Sequence, residues 1–163
     1  MGEVSIRAVG ESELELIEPL WNALREHHAR VAPALGVPRE RADSWERRRA
    51  QYAGWLSEPD SFVLLAERGG TPVGYAMVHL HEGSPTWHTG ERTGELETLS
   101  VLPDERGQGV GAALLGEVRA RLHALGAGQL SVFVMAGNAD AIRFYERHAF
   151  GPDGVWLRSD LSR

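Results

Sequence analysis

The sequence predicts an α/β fold: a mixed central sheet with helices on both faces, in the order β-α-α-β-β-β-α-β-α-β. Three observations carry this. Short alternating or continuous apolar runs recur between longer stretches with helical spacing. Clusters of glycine and proline separate them. One glycine-rich turn joins a strand in the middle of the chain to a long amphipathic helix. At 163 residues the chain fits a single domain over 1–163, and no repeat, linker or low-complexity tract divides it.

In order, Val4, Ile6 and Ala8 alternate with polar neighbours and predict a first strand. Leu14, Ile17, Trp21 and Leu24 form one stripe of a helix, with Ser12 and Glu15 at capping-box spacing. Pro33, Gly36 and Pro38 break that pattern, making 31–43 a loop. A second helix follows, with Trp45, Tyr52, Trp55 and Leu56 on its buried side. Residues 61–67 read as a buried strand, 69–72 as a turn and 73–80 as its antiparallel return. A polar loop over 82–92 leads to a strand over 95–101, which Pro103 ends. Val110, Leu114, Leu115, Val118, Leu122 and Leu125 mark the next helix, stopped by Gly126 and Gly128. A strand over 130–135, a helix over 138–148 and a last strand from Val155 to Asp160 complete the order.

Composition narrows the chemistry. There is no cysteine, so disulfides, thiolate metal sites and a cysteine nucleophile are excluded. All 17 basic residues are arginine, which removes lysine bases, Schiff bases and a P-loop lysine. A net charge of −6 argues against nucleic acid and favours a cationic partner such as an amine. Arg47, Arg48 and Arg49 lie in a helical pattern and read as a solvated face. No apolar run is long enough to span a bilayer, and the N-terminus lacks both a signal pattern and a myristoylation site. The expectation is a soluble cytoplasmic protein without membrane partners.

The segment from Val101 to Ala112 carries most of the functional reading. Closely spaced glycines let backbone amides turn towards a ligand, and the first amides of the following helix favour an anion. A phosphate or pyrophosphate is the expected guest. Gly107, Gly109 and Ala112 match a dinucleotide fingerprint in form, but the turn does not follow its strand directly and no acid stands about 20 residues on. What remains, Arg106-x-x-Gly109-x-Gly111, resembles the coenzyme A signature of the GNAT superfamily of N-acetyltransferases. Leu99, Ser100, Val101, Leu102 and Pro103 precede it as they do there. A second block, Asn138-x-x-Ala141-x-x-Phe144-Tyr145, ending in Ala149-Phe150, looks like a further segment of that family. Ala149 stands where the family has glycine, which implies a different helix end or strain of about 1 kcal/mol.

The resemblance implies acetyl-CoA as cofactor and an amine-bearing small molecule or peptide as acceptor, with homodimers common among relatives. It implies that the backbone of Leu99, Ser100 and Val101 pairs with the pantetheine amides. Arg106, Gly107, Gln108, Gly109, Val110, Gly111 and Ala112 would hold the diphosphate, with Asn138, Ala141 and Phe144 beside the cofactor. Glu97 falls where many members carry a catalytic glutamate, and Tyr145 where a tyrosine sits by the cofactor sulfur. From the residues themselves, Glu95 and Glu97 share one strand face about 6.6 Å apart, where one carboxylate can rise towards neutrality and serve as a base. Tyr145 supplies an O–H donor suited to a general acid. Glu26, His27, Glu95, Trp87 and His88 lie on the segments that grip the acceptor in that family, and form no code that names it. Arg143 and Arg147 are weaker phosphate contacts. His79 and His81 share a face, with His88 in the next loop, yet nothing fixes a metal among them. The competing reading is a non-catalytic acyl-CoA-binding sensor on the same scaffold.

Overall fold

The computed structural model describes residues 2–162. Its strands are β1 (Val4–Val9), β2 (Phe62–Arg68), β3 (Thr71–Glu82), β4 (Arg92–Val101) and β5 (Gln129–Ser131). They lie side by side in that order, antiparallel except for the parallel pair of β4 and β5. Helices α1 (Glu18–Val31) and α2 (Arg41–Leu56) cover one face; α3 (Val110–Ala124) and α4 (Ala139–Arg147) cover the other. The mixed sheet with helices on both faces is the architecture expected.

Each face has its own core, because alternate residues of the strands point to opposite sides. Leu64, Ala76, Val78 and Leu96 meet Val110, Leu114, Leu115 and Val118 of α3. Val63, Leu65, Tyr75 and Met77 meet Leu20, Trp21, Leu24, Trp45 and Tyr52. Between the second pair of layers, the hydroxyl of Tyr52 bonds those of Tyr75 (2.9 Å) and Thr98 (2.6 Å), tying α2 to β3 and β4. Burial pushes both phenols up, so each stays protonated and able to share the bond.

Local differences from the expected elements have identifiable causes. The first helix opens as a 3-10 turn over Glu11–Ile17, and Pro19 marks its change to α-helix. The turn starts at Gly10, whose amide donates to Glu13 (3.4 Å), so Ser12 and Glu15 do not form the capping box expected. Glu15 instead accepts from Trp45 Nε1 (3.2 Å) and Arg49 Nε (2.6 Å). The loop expected over 31–43 contains a 3-10 turn at Pro33–Leu35 and ends three residues early. Trp45 and Tyr52 are buried as expected, whereas Trp55 and Leu56 are half-buried.

The largest departure is at the C-terminal end. The strand expected from Val155 to Asp160 does not form: Val155, Trp156 and Leu157 are 85%, 83% and 91% exposed. Of the strand expected over 130–135, only 130 and 131 lie in a ladder. The two failures are one event. Beyond Ser131 the chain leaves β4, so among the described residues no extended edge is present to receive a sixth strand, and the Trp156 ring stands T-shaped to that of Phe133 (centroids 5.7 Å apart).

Candidate active site

The parting of β4 and β5 begins with a fault in the ladder between β3 and β4. Met77 pairs with Thr98 and Val78 with Leu96, so Glu97 is an extra residue in β4, a β-bulge. Its consequence is visible in the packing. Leu96 and Leu99 both point to the α3 face, while Glu97 and Thr98 both point to the α1–α2 face. β4 pairs with β5 only through Thr93, Gly94 and Glu95. From Leu96 to Val101 its far edge carries no strand among the described residues.

Which backbone groups line that edge follows from the ladder's alternation. Leu102 N donates to Val73 O (2.9 Å), so the neighbouring pair Val101–Gly74 is a non-bonded one. The peptide groups of Val101, and of Leu99 two residues earlier, therefore face away from β3 into the opening. Ser100 points elsewhere: its side chain is buried and donates to Leu20 O (3.1 Å), which anchors α1 on the strand. Arg106 Nε donates to Val101 O (3.1 Å), joining the end of the edge to the turn beyond it.

That turn is held open by backbone conformation. Gly107 and Gly109 have φ of +75° and +84°, values that a side chain disfavours, and nothing lies within 4 Å of where a Cβ would stand on either. They are glycines for their dihedrals and present a bare surface. Gly109 caps α3, and the first bond in the helix runs from Ala113 N to Gly109 O (2.9 Å). The amides of Val110, Gly111 and Ala112 thus have no intrahelical acceptor and project at the helix's positive end. Gln108 braces the turn, donating to Asp104 O (2.8 Å) and accepting from Arg68, which also pairs with Glu105 (2.9 Å). A Cβ on Gly111 would touch the ring of Phe144 at 3.4 Å, so α4 sits directly against the start of α3.

Asn138 begins α4. Its Oδ1 accepts from Ala141 N (3.3 Å) as a helix cap and from His27 Nε2 (3.2 Å), linking the end of α1 to the same turn. Tyr145, 8% exposed, projects from α4 with its ring T-shaped to those of Phe144 and Phe150 (centroids 5.2 Å apart in each pair). Its hydroxyl bonds no other described residue, and burial pushes its pKa well up, so it is held protonated.

On the opposite face, Glu97 Oε1 lies 2.7 Å from His79 Nε2. Glu95 comes within 3.7 Å of His81 Nε2 and accepts from Ser131 Oγ, so the two glutamates do share the face expected of them. The contacts of His79 with Glu97, Trp55 and Glu58 are not legible in the sequence, where the shared strand face of His79 and His81 is the only signal and fixes no metal. The remaining acceptor candidates lie apart. Glu26 pairs with Arg41, while Trp87 (72% exposed) and His88 sit on the loop between β3 and β4. No described contact joins Trp87 or His88 to Glu97 or His27.

Comparisons with known proteins follow the same lines. Residues 21–150 match the family described as "Acetyltransferase (GNAT) family". A mycothiol acetyltransferase of Thermobispora bispora is 35% identical over 139 residues, which are 82% of this chain and 42% of that protein. An uncharacterised N-acetyltransferase of Mycobacterium tuberculosis is 35% identical over 106 residues, 65% of this chain and 63% of its own. The chain thus spans less than half of that mycothiol acetyltransferase. Among solved structures, a tetramutant of the BH1408 protein of Bacillus halodurans superposes with a TM-score of 0.81 at 18% identity, covering 96% of this chain and 99% of its own. An aminoglycoside N-acetyltransferase in complex with CoA does so at 0.75 and 17%, covering 99% and 97%. At such identities the superpositions speak for the fold. The family match, over most of the chain, speaks for descent: the protein belongs to the acetyltransferase (GNAT) family.

Proposed function

We propose that the protein transfers an acetyl group from acetyl-CoA to an amine of a small molecule or peptide, by direct attack of the amine on the thioester. The observation that carries this is the opening in the sheet. It presents an unpaired strand edge, a bare helix N-terminus at one end, a carboxylate on one face and a tyrosine on the other.

The residues fit the cofactor. The bare surfaces of Gly107 and Gly109 with the amides of Val110, Gly111 and Ala112 suit a diphosphate. The outward peptide groups of Leu99 and Val101 suit the amides of a pantetheine arm. Arg106 adds charge beside both. Bound acetyl-CoA supplies an activated carbonyl and a thiol leaving group. Glu97 accepts the amine's proton, directly or through water, since an alkyl amine at about pKa 10.4 is mostly protonated at neutral pH. Tyr145 donates its proton to the departing sulfur from the other side of the sheet. Base and acid on opposite faces match a reaction in which the amine arrives on one side and the thiolate leaves on the other. Holding the two reactants in line accounts for several kcal/mol of the barrier, on the order of what effective molarities allow.

The acceptor's class follows the chain's acidic balance and the glutamates beside the opening. His27 and the loop bearing Trp87 and His88 would border it. The exposed Val155, Trp156 and Leu157 offer an apolar surface for a homodimer. No helix among the described residues is long and apolar enough to cross a membrane. The test is thiol release from acetyl-CoA with a panel of spermidine, kanamycin, glucosamine, an alanine-terminated peptide and deacetylated mycothiol. Release with at least one amine, and acetylated product by mass, is expected. Binding of acetyl-CoA with no release across the panel would favour a sensor instead.

A further inference from the structure

We propose that His79 is the positioning residue of Glu97, fixing which carboxylate oxygen faces the acceptor; this rests on the reading of Glu97 as the base. Glu97 is the bulge residue of β4, so no cross-strand neighbour in the ladder holds it. A long side chain at such a point would turn through several rotamers. Among the described residues it is held by one polar contact, His79 Nε2 to Glu97 Oε1 at 2.7 Å, between groups whose side chains are 16% and 25% exposed.

The tautomer follows from chemistry. An ionised carboxylate only accepts, so Nε2 carries the hydrogen and donates it to Oε1. The ring cannot rotate away, because it lies flat on the indole of Trp55, with centroids 4.9 Å apart and planes 1° apart. Its other nitrogen, Nδ1, lies 4.0 Å from Glu58 Oε2, and the His81 ring stands 6.1 Å away with Glu95 behind it. With Oε1 occupied, Oε2 of Glu97 is the atom left to take the amine's proton. The chain Trp55, His79, Glu97 therefore runs from the end of α2 to the base. It lets α2, which also borders the acceptor side, set the geometry of proton transfer.

The test separates packing from hydrogen bonding at one position. His79→Phe keeps a ring on Trp55 and deletes the donor; His79→Gln keeps a donor and deletes the ring. Both are assayed by thiol release from acetyl-CoA with the amine panel named above, alongside calorimetric binding of CoA and thermal melts. His79→Phe is expected to lower kcat by about 10- to 100-fold with the KM for acetyl-CoA unchanged, the scale of a misplaced catalytic group. His79→Gln should remain within about threefold of wild type, since its amide can still donate to Oε1. In a Glu97→Gln background, His79→Phe should bring no further loss, as expected of residues acting as a unit. A long-range 1H–15N spectrum of wild type should show His79 protonated at Nε2.

A His79→Phe enzyme at the wild-type rate, a His79→Gln enzyme as slow as His79→Phe, or full additivity with Glu97→Gln would each overturn the proposal. Failure of the wild type to release thiol with any panel amine would instead overturn the acetyltransferase reading. Unchanged turnover in Glu97→Gln, with an active wild type, would remove the base and this inference together.

Discussion

At Ala149 the backbone takes φ of +63°, the left-handed region in which a Cβ crowds the following carbonyl. The reason is geometric. Ala149 N donates to Glu146 O and Phe150 N to Tyr145 O, closing α4 so that Phe150 swings back onto Tyr145. Of the two outcomes the sequence left open, a different helix end or local strain, the chain takes the strained one. Ala149→Gly should relieve about 1 kcal/mol of strain, offset in part by the freer unfolded chain. A rise of about 0.5 kcal/mol in unfolding free energy by urea titration is the expected result. At Tyr145 the question is chemical. Tyr145→Phe removes one oxygen from a ring that otherwise packs unchanged, and the hydroxyl bonds no other described residue, so stability should stay level. Turnover should fall well beyond tenfold, as for loss of a general acid, with CoA affinity near normal by calorimetry. Turnover equal to wild type would remove the acid role.

The turn before α3 and the bulge in β4 show which elements the sequence reveals. The turn is legible because its constraints are local. Gly107 and Gly109 are needed for their positive φ, so the residues themselves mark the conformation. Asn138 starts the helix expected over 138–148, and its role as the cap is added by the structure. The bulge is not legible, because it is a relation between two strands. Read with a period of two, Leu96 and Leu99 fall on opposite faces; the run Leu96-Glu97-Thr98-Leu99 breaks that alternation, but it does not say against which strand the slip occurs. The His79–Glu97 contact depends on that slip and so was beyond reach. The missing last strand failed likewise on its partner: Val155 to Leu157 have strand-like residues, but β5 ends too soon to pair with them. The turn's role gives its own prediction. Gly109→Ala should cost about 1 kcal/mol in stability through strain at φ +84°, and should weaken CoA binding by about tenfold or more as the first α3 amides shift. Unaltered CoA affinity in a folded Gly109→Ala protein would remove the turn from the binding site.

For the molecule as a whole, the layer of α1 and α2 over the sheet carries a response to acid centred on His28. Its ring is set between α1 and the chain leading to α2, and its pKa is lowered from 6.5 to about 4, chiefly by burial, then by the charges of His27 and Arg48. Arg48 cannot easily withdraw, since its guanidinium lies 4.3 Å over the Trp21 ring. The folded state thus resists a proton that the unfolded chain accepts. Above pH 6.5 neither state is protonated at His28 and nothing is lost. As pH falls from 6.5 to 4 the unfolded state gains the proton first, so stability declines across that window and levels off below the folded value. The carboxylates Glu13, Glu15, Asp43 and Asp160 are all held low by their hydrogen-bond partners, so their losses begin only near and below their ordinary values of 4.5 and 3.8. The interval from pH 6.5 to 5 therefore isolates the histidine from those groups. Urea unfolding at pH 7 and pH 5 should show wild type losing about 1 kcal/mol more than His28→Gln, allowing for solvent screening of a partly exposed ring. The stability of both proteins at pH 7 should differ much less, because the ring is neutral there. Equal losses in the two proteins would mean that α1 and α2 open enough at pH 5 for water to reach His28, and that this layer is looser than its packing implies.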